Sequence, residues 1–142
     1  MQCFLQLITS GKFKMNLLYI FQDPFGINDS KAGKTSHPDV RLGVYQNSYS
    51  ARSHLAQFDY AFYGSAKAIS NLEKAIKTEF DWDIEQDGRG FSEWINNHTS
   101  AEVLEKVKKI IDGYRFKVLP VPEEFLPLNI NNLDAFKEWL AE

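Results

Sequence analysis

The chain has 142 residues, of which 44% are hydrophobic and 25% charged, with a formal net charge of −3. That balance belongs to globular proteins, and the length allows a core that needs neither disulfides nor a structural metal. The single cysteine, Cys3, excludes an intramolecular disulfide and a cysteine-held zinc, and the longest apolar run, the five residues from Leu17 to Phe21, is far below the roughly 18 needed to cross a bilayer.

The opening segment MQCFLQLITSGKFK is too interrupted by Gln, Ser and Lys for a secretory leader. Residues 1–14 therefore read as an N-terminal appendage, and Met15 opens a better ordered pattern. Residues Asn16 to Gln22 are apolar and aromatic, which predicts a buried strand closed by the turn Asp23-Pro24-Phe25-Gly26. Lys31 to Thr35 predicts a second strand returning beside the first. Ser36-His37-Pro38 reads as a helix start with proline in the first turn, and Val40, Val44 and Asn47 follow at helical spacing.

His54 to Gly64 predicts the third strand, with Leu55, Gln57, Asp59, Ala61 and Tyr63 on one face and Ala56, Phe58, Tyr60 and Phe62 on the other. Ser65 to Phe80 carries the apolar stripe of an amphipathic helix through Ala68, Ile69, Leu72, Ala75, Ile76 and Phe80. Beyond it the pattern predicts a turn-rich excursion over Asp81 to Gly90, a helix from Ser100 to Asp112 ended by Gly113, a connecting arm from Leu119 to Leu128, and a terminal helix from Asn132. The expected fold class is α/β, a small three-stranded, mainly antiparallel sheet flanked by helices. The expected organisation is 15–98 as the central domain and 99–142 as a helical extension packed on it.

Charge is unevenly distributed. From Lys31 to Lys77 there are seven Lys or Arg against three acids, within a protein that is acidic elsewhere. A basic middle suits a phosphate-bearing ligand, although solvated helix lysines produce similar counts. Gly33-Lys34-Thr35-Ser36 has the look of a P-loop tail, but that pattern needs a glycine where this chain has Asn28.

A different order covers more of the chain: Leu18-Tyr19-Ile20-Phe21, then Lys31-Ala32-Gly33-Lys34-Thr35, then Arg41, Tyr45 four residues later, and Glu73 in the next helix. This order resembles the GIY-YIG nuclease superfamily over residues Asn16 to Phe80, most closely the divergent phage-type branch with a Lys-Ile-Gly second motif. Lys31 stands at the place of the second tyrosine and Leu18 at that of the first glycine. For the asparagine that follows the glutamate in many members, Asn96 and Asn97 are the candidates. The Gly90-Phe91-Ser92-Glu93-Trp94 stretch is similar to a closing segment of that branch.

The resemblance implies a DNA nuclease in which Glu73 holds a single Mg²⁺, Arg41 grips the scissile phosphate, and Tyr19 or Tyr45 takes or relays the proton of the attacking water. Lys31 would favour the phenolate or supply charge in the transition state. Gly33, Lys34, Thr35, Arg52 and Lys77 would contact nucleic acid, with Gly33 admitting the backbone close to the phosphate. Spacing adds that Arg41 and Tyr45 share one helix face. A phosphodiester needs a water, a base and positive charge where negative charge gathers, and these residue types supply the last two.

Taken singly, the same residues have plainer roles. Tyr19 suits a core aromatic, Glu73 a helix residue paired with Lys77, and Arg41 a surface ion pair. His37, His54 and His98 lack ligand spacing, and Trp82, Trp94 and Trp139 suit core or arm anchors. The expectation is a Mg²⁺-dependent nuclease acting on DNA, with a protein partner as a source of specificity and a cytoplasmic location, as for a phage protein in its host. The alternatives are a module of the same fold that binds nucleic acid without cutting it, or a small protein-interaction or inhibitory protein.

Overall fold

The computed structural model describes residues 15–22, 30–49, 56–80, 84–87, 90–95 and 98–142. The expectations for the appendage 1–14, Cys3, the turn from Asp23 to Gly26, Arg52, His54, Trp82, Asn96 and Asn97 lie outside those residues. The elements are β1 (Leu17–Gln22), β2 (Ser30–Thr35), α1 (Pro38–Tyr49), β3 (Gln57–Phe58), β4 (Tyr60–Gly64), α2 (Ala66–Glu79), β5 (Ile84–Asp87), β6 (Gly90–Ile95), α3 (Ser100–Tyr114), β7 (Val118–Pro120), β8 (Leu128–Asn129) and α4 (Leu133–Ala141). A 3₁₀ turn spans Glu123–Phe125.

The protein is α/β, built on an antiparallel sheet. Among the described residues that sheet has six strands in the order β5-β6-β2-β1-β4-β7, and β3 and β8 form a separate pair. The three expected strands are its centre, β2-β1-β4, and the expectation of three is corrected by strands on both flanks. Two of these, β5 and β6, occupy the supposed turn-rich excursion and closing segment, and their charged residues hid the strand pattern. The third, β7, is in the supposed connecting arm. It ends at Pro120, which has no N–H to give a ladder and therefore fits an edge.

Strand alternation divides the interior in two. On one face of the sheet Leu17, Tyr19 and Phe21 pack with Leu42 and Tyr45 of α1 and with Leu133 and Phe136 of α4. On the other, Leu18 and Ile20 pack with Ile69, Leu72 and Ile76 of α2 and Val103, Val107 and Ile110 of α3. Among the described side chains, the stripe that α1 buries is Pro38, Leu42 and Tyr45, while Val40 and Val44, which the spacing singled out, are 60% and 50% exposed, and the side chain of Asn47 lies outside those described.

α2 begins at Ser65, whose Oγ accepts the N–H of Ala68 at 3.1 Å. α3 begins with a capping box in which Thr99 and Glu102 serve each other's backbone N–H groups. The Thr99 N–H and hydroxyl on its carboxylate hold Glu102 below the usual carboxylate range. Gly113 does not end this helix. It continues to Tyr114, and Arg115 adopts the left-handed conformation at φ 57°, with the N–H of Phe116 returning to the carbonyl of Ile111 at 3.1 Å.

Asp59 breaks the predicted third strand in two. Its N–H donates to the carbonyl of Ile20 at 2.9 Å and its carboxylate accepts the N–H of Gln22 at 3.0 Å. The bend there changes the parity of the chain, so Ala56 and Phe58 join the same core as Ala61 and lie apart from Phe62. Burial is the main influence on the Asp59 carboxyl and pushes its pKa up, opposed by the hydrogen bond from Gln22. A carboxyl with a raised folded-state pKa binds more protons folded than unfolded, so its contribution to stability falls as pH rises through that window. Asp59→Asn is expected to raise thermal stability at neutral pH, with the gap from wild type closing as pH drops toward the ordinary carboxylate range. Melting curves across that range check it, and a gap that widens on acidification would contradict it.

Candidate functional site

Three of the predicted site residues, Tyr19, Lys31 and Glu73, are disposed about Gly33 and its neighbour near the end of β2. Tyr19 is the cross-strand partner of Gly33 in the β1-β2 register, and Lys31 lies two residues before it on the same face. Glu73 reaches the residue after it: its Oε2 accepts the main-chain N–H of Lys34 at 3.1 Å. β6 pairs with β2 only at Ser30 and Lys31, so the edge beyond Lys31 has no strand beside it among the described residues. The Lys34 N–H is an edge donor, and a carboxylate meets it.

Glu73 is 7% exposed although it is charged and lies on a helix. Besides the Lys34 N–H it has the Lys77 ammonium at 3.5 Å, four residues along α2. The ion pair suggested by the spacing is therefore present, at a buried acid. Lys77, expected to contact nucleic acid, is directed to this carboxylate.

Tyr19 and Tyr45 are brought together on the opposite face of the sheet. Their hydroxyls are 2.6 Å apart and share one hydrogen bond, with Tyr19 fully buried and Tyr45 6% exposed. Tyr19 stacks on Phe58 at 4.4 Å between ring centres, and Tyr45 stacks on Phe21 at 4.7 Å. The Lys31 ammonium is 5.3 Å from the centre of the Tyr45 ring, within cation–π range. Tyr19 is thus a core aromatic and also the partner of the second candidate tyrosine.

Arg41 opens onto a cleft of about 610 Å³, lined by Lys34, Thr35 and Ser36 after β2, by His37, Val40, Arg41 and Val44 of the α1 region, and by Ala66, Ile69 and Ser70 of α2, with Asn16 at one side. Lys34 Nζ donates to Ser70 Oγ at 3.0 Å, which spans the floor between β2 and α2. The charged side chains on this lining are Lys34 and Arg41, and no acid is among them. Arg41 has no ion-pair partner among the described residues. The shared helix face of Arg41 and Tyr45 does not place both on the cleft: Arg41 lines it, and Tyr45 is beneath in the core.

Among the described residues there is no group of three or more His, Cys, Asp or Glu disposed to hold a metal. Glu73 offers one carboxylate, and one carboxylate with water and substrate oxygens is the donor set that suits a hard ion such as Mg²⁺. His37 was passed over in the sequence because it lacks ligand spacing. Its place on the cleft beside Arg41 depends on the geometry at the start of α1, and the only sequence signal for it is its position four residues before that arginine.

The tyrosine pair makes a specific prediction about stability. Tyr45→Phe removes the buried bond between the two hydroxyls and should cost about 1–3 kcal/mol, whereas the double change Tyr19→Phe with Tyr45→Phe should cost less than the sum of the two single changes. Urea unfolding of the three variants reads the coupling, and strictly additive losses would contradict it. The chain matches no protein-family model, no curated protein and no solved structure, so the reading of this site rests on its own residues.

Proposed function

We propose that the protein is a metal-dependent nuclease that hydrolyses DNA phosphodiester bonds, with the organisation of a GIY-YIG-like domain. The observation that carries this reading is the Glu73 carboxylate held on the Lys34 N–H, because it ties the acid to the glycine-containing strand that also bears Lys31, Lys34 and Thr35. Lys34 and Arg41 give the adjoining cleft positive charge without an acid to cancel it. That is the charge a phosphate needs as negative charge gathers on it in the transition state.

In this reading Glu73 holds the divalent ion, for which Mg²⁺ is the natural choice, and the ion when bound supplies further positive charge to the phosphate. Arg41 grips the scissile phosphate, while Gly33, Lys34 and Thr35 position the nucleic-acid backbone. Tyr45, the less buried of the two phenols, accepts the proton of the attacking water, with the Lys31 ammonium beside its ring and Tyr19 fixing its hydroxyl. A protein partner is the proposed source of specificity, and the proposed location is cytoplasmic. Among the described residues no helix is long and apolar enough to cross a membrane.

A second reading, a module that binds nucleic acid without cutting it, is favoured by one observation: the two tyrosine hydroxyls bond each other inside the core. Supercoiled plasmid separates the two. The nuclease reading expects nicking with Mg²⁺ that is lost with a chelator and with Glu73→Gln, and that falls on the order of 10²-fold or more with Arg41→Ala. Salt-sensitive DNA binding with no nicking, identical in wild type and Glu73→Gln, would establish the binding module instead. Absence of binding at low salt would contradict both.

A further inference from the structure

The departing sugar oxygen of a phosphodiester needs a proton as the phosphorus–oxygen bond breaks, and because it leaves opposite the attacking water, the tyrosine assigned to the water is not placed to give that proton. Of the cleft-lining side chains, Lys34, Arg41 and His37 can carry a proton, and only histidine exchanges it readily near neutral pH. One ring nitrogen is engaged: Ser36 Oγ and His37 Nδ1 are 3.0 Å apart in one hydrogen bond, while the main-chain N–H of His37 donates to Thr35 Oγ1 at 3.1 Å and fixes the backbone there.

Arg41 is fixed to the same turn, because its N–H donates to the carbonyl of His37 at 3.1 Å. The Arg41 and His37 side chains therefore leave the backbone one helical turn apart, and both line the cleft. With Nδ1 engaged by Ser36, Nε2 is the nitrogen left to meet a ligand. The charged groups around the ring are Lys34 and Arg41 on the cleft and Asp39 two residues further along α1, while the facing residues of α2, Ala66, Ile69 and Ser70, are uncharged.

From this arrangement we propose that His37 is the general acid of the nuclease, donating the Nε2 proton to the departing sugar oxygen. The inference rests on the nuclease reading above. The water oxygen bonds to phosphorus as the bond from phosphorus to the sugar oxygen breaks. The electron pair of that bond stays on the departing oxygen, which takes the His37 proton. The water's own proton goes to the general base, and solvent restores the imidazolium afterwards.

The test compares wild type with His37→Gln on two substrates under single-turnover conditions with Mg²⁺: an oligonucleotide, and thymidine 5′-(p-nitrophenyl phosphate), whose nitrophenolate departs without needing a proton. His37→Gln should slow oligonucleotide cleavage on the order of 10²-fold. It should leave the nitrophenyl diester within about threefold of wild type and abolish the alkaline decline in the pH profile of DNA cleavage. Retained nitrophenyl activity also shows that the variant is folded. Equal slowing of both substrates, or unchanged cleavage of DNA, overturns the assignment. Wild type that cleaves neither substrate in a Glu73-dependent way overturns the nuclease reading itself, an outcome distinct from a failure of His37 alone.

Discussion

An N–H at the edge of a β-strand that lacks a neighbouring strand must find another acceptor or meet water. In this protein the N–H of Lys34 finds the carboxylate of Glu73, an acid that α2 carries into a nearly dry position. The bond does two things together. It completes the edge of β2 where β6 no longer runs beside it, and it fixes a negative charge next to the only glycine of that strand. Lys77 offsets part of the cost of burying the acid.

The candidate chemistry is arranged around that bond on two sides of one sheet. The α1 side supplies the bonded tyrosine hydroxyls with Lys31 beside them, and the β2-α2 side supplies Glu73 and the Lys34 contact to Ser70. The cleft at the end of β2 takes Lys34 from that strand, with Arg41 and His37 on one wall. Gly33 is the cross-strand partner of Tyr19, so β2 sets no side chain opposite that phenol. Asp59 contributes at a distance by holding Gln22 at the end of β1 and turning Phe58 back under Tyr19.

Much of this was legible in the residues. The run from Leu17 to Phe21, the proline at the start of α1 and the stripe of α2 each obey a single periodicity, so their elements could be read directly. Tyr19, Lys31, Arg41, Tyr45 and Glu73 could be grouped by order along the chain. What the order does not carry is the third dimension: that Tyr45 turns into the core while Arg41 turns to the cleft, and that Glu73 is buried against a main-chain N–H. Val40 and Val44 misled because apolar character at helical spacing says nothing about which face meets the sheet when Pro38, Leu42 and Tyr45 offer a competing stripe. Residues 84–87, 90–95 and 118–120 do not read as strands because they carry charges, glycine or proline where β1 carries an unbroken apolar run.

The account depends on the Glu73 carboxylate holding the Lys34 N–H in solution, and amide hydrogen exchange followed residue by residue reads that bond most directly. The prediction is that the Lys34 amide exchanges slowly in wild type, despite lying at an unpaired edge, and speeds up in Glu73→Ala while the amides of β1 stay protected. A Lys34 amide that exchanges in wild type at the rate of an unprotected chain would show that the carboxylate is not there, and the site built around Gly33 would lose its acid.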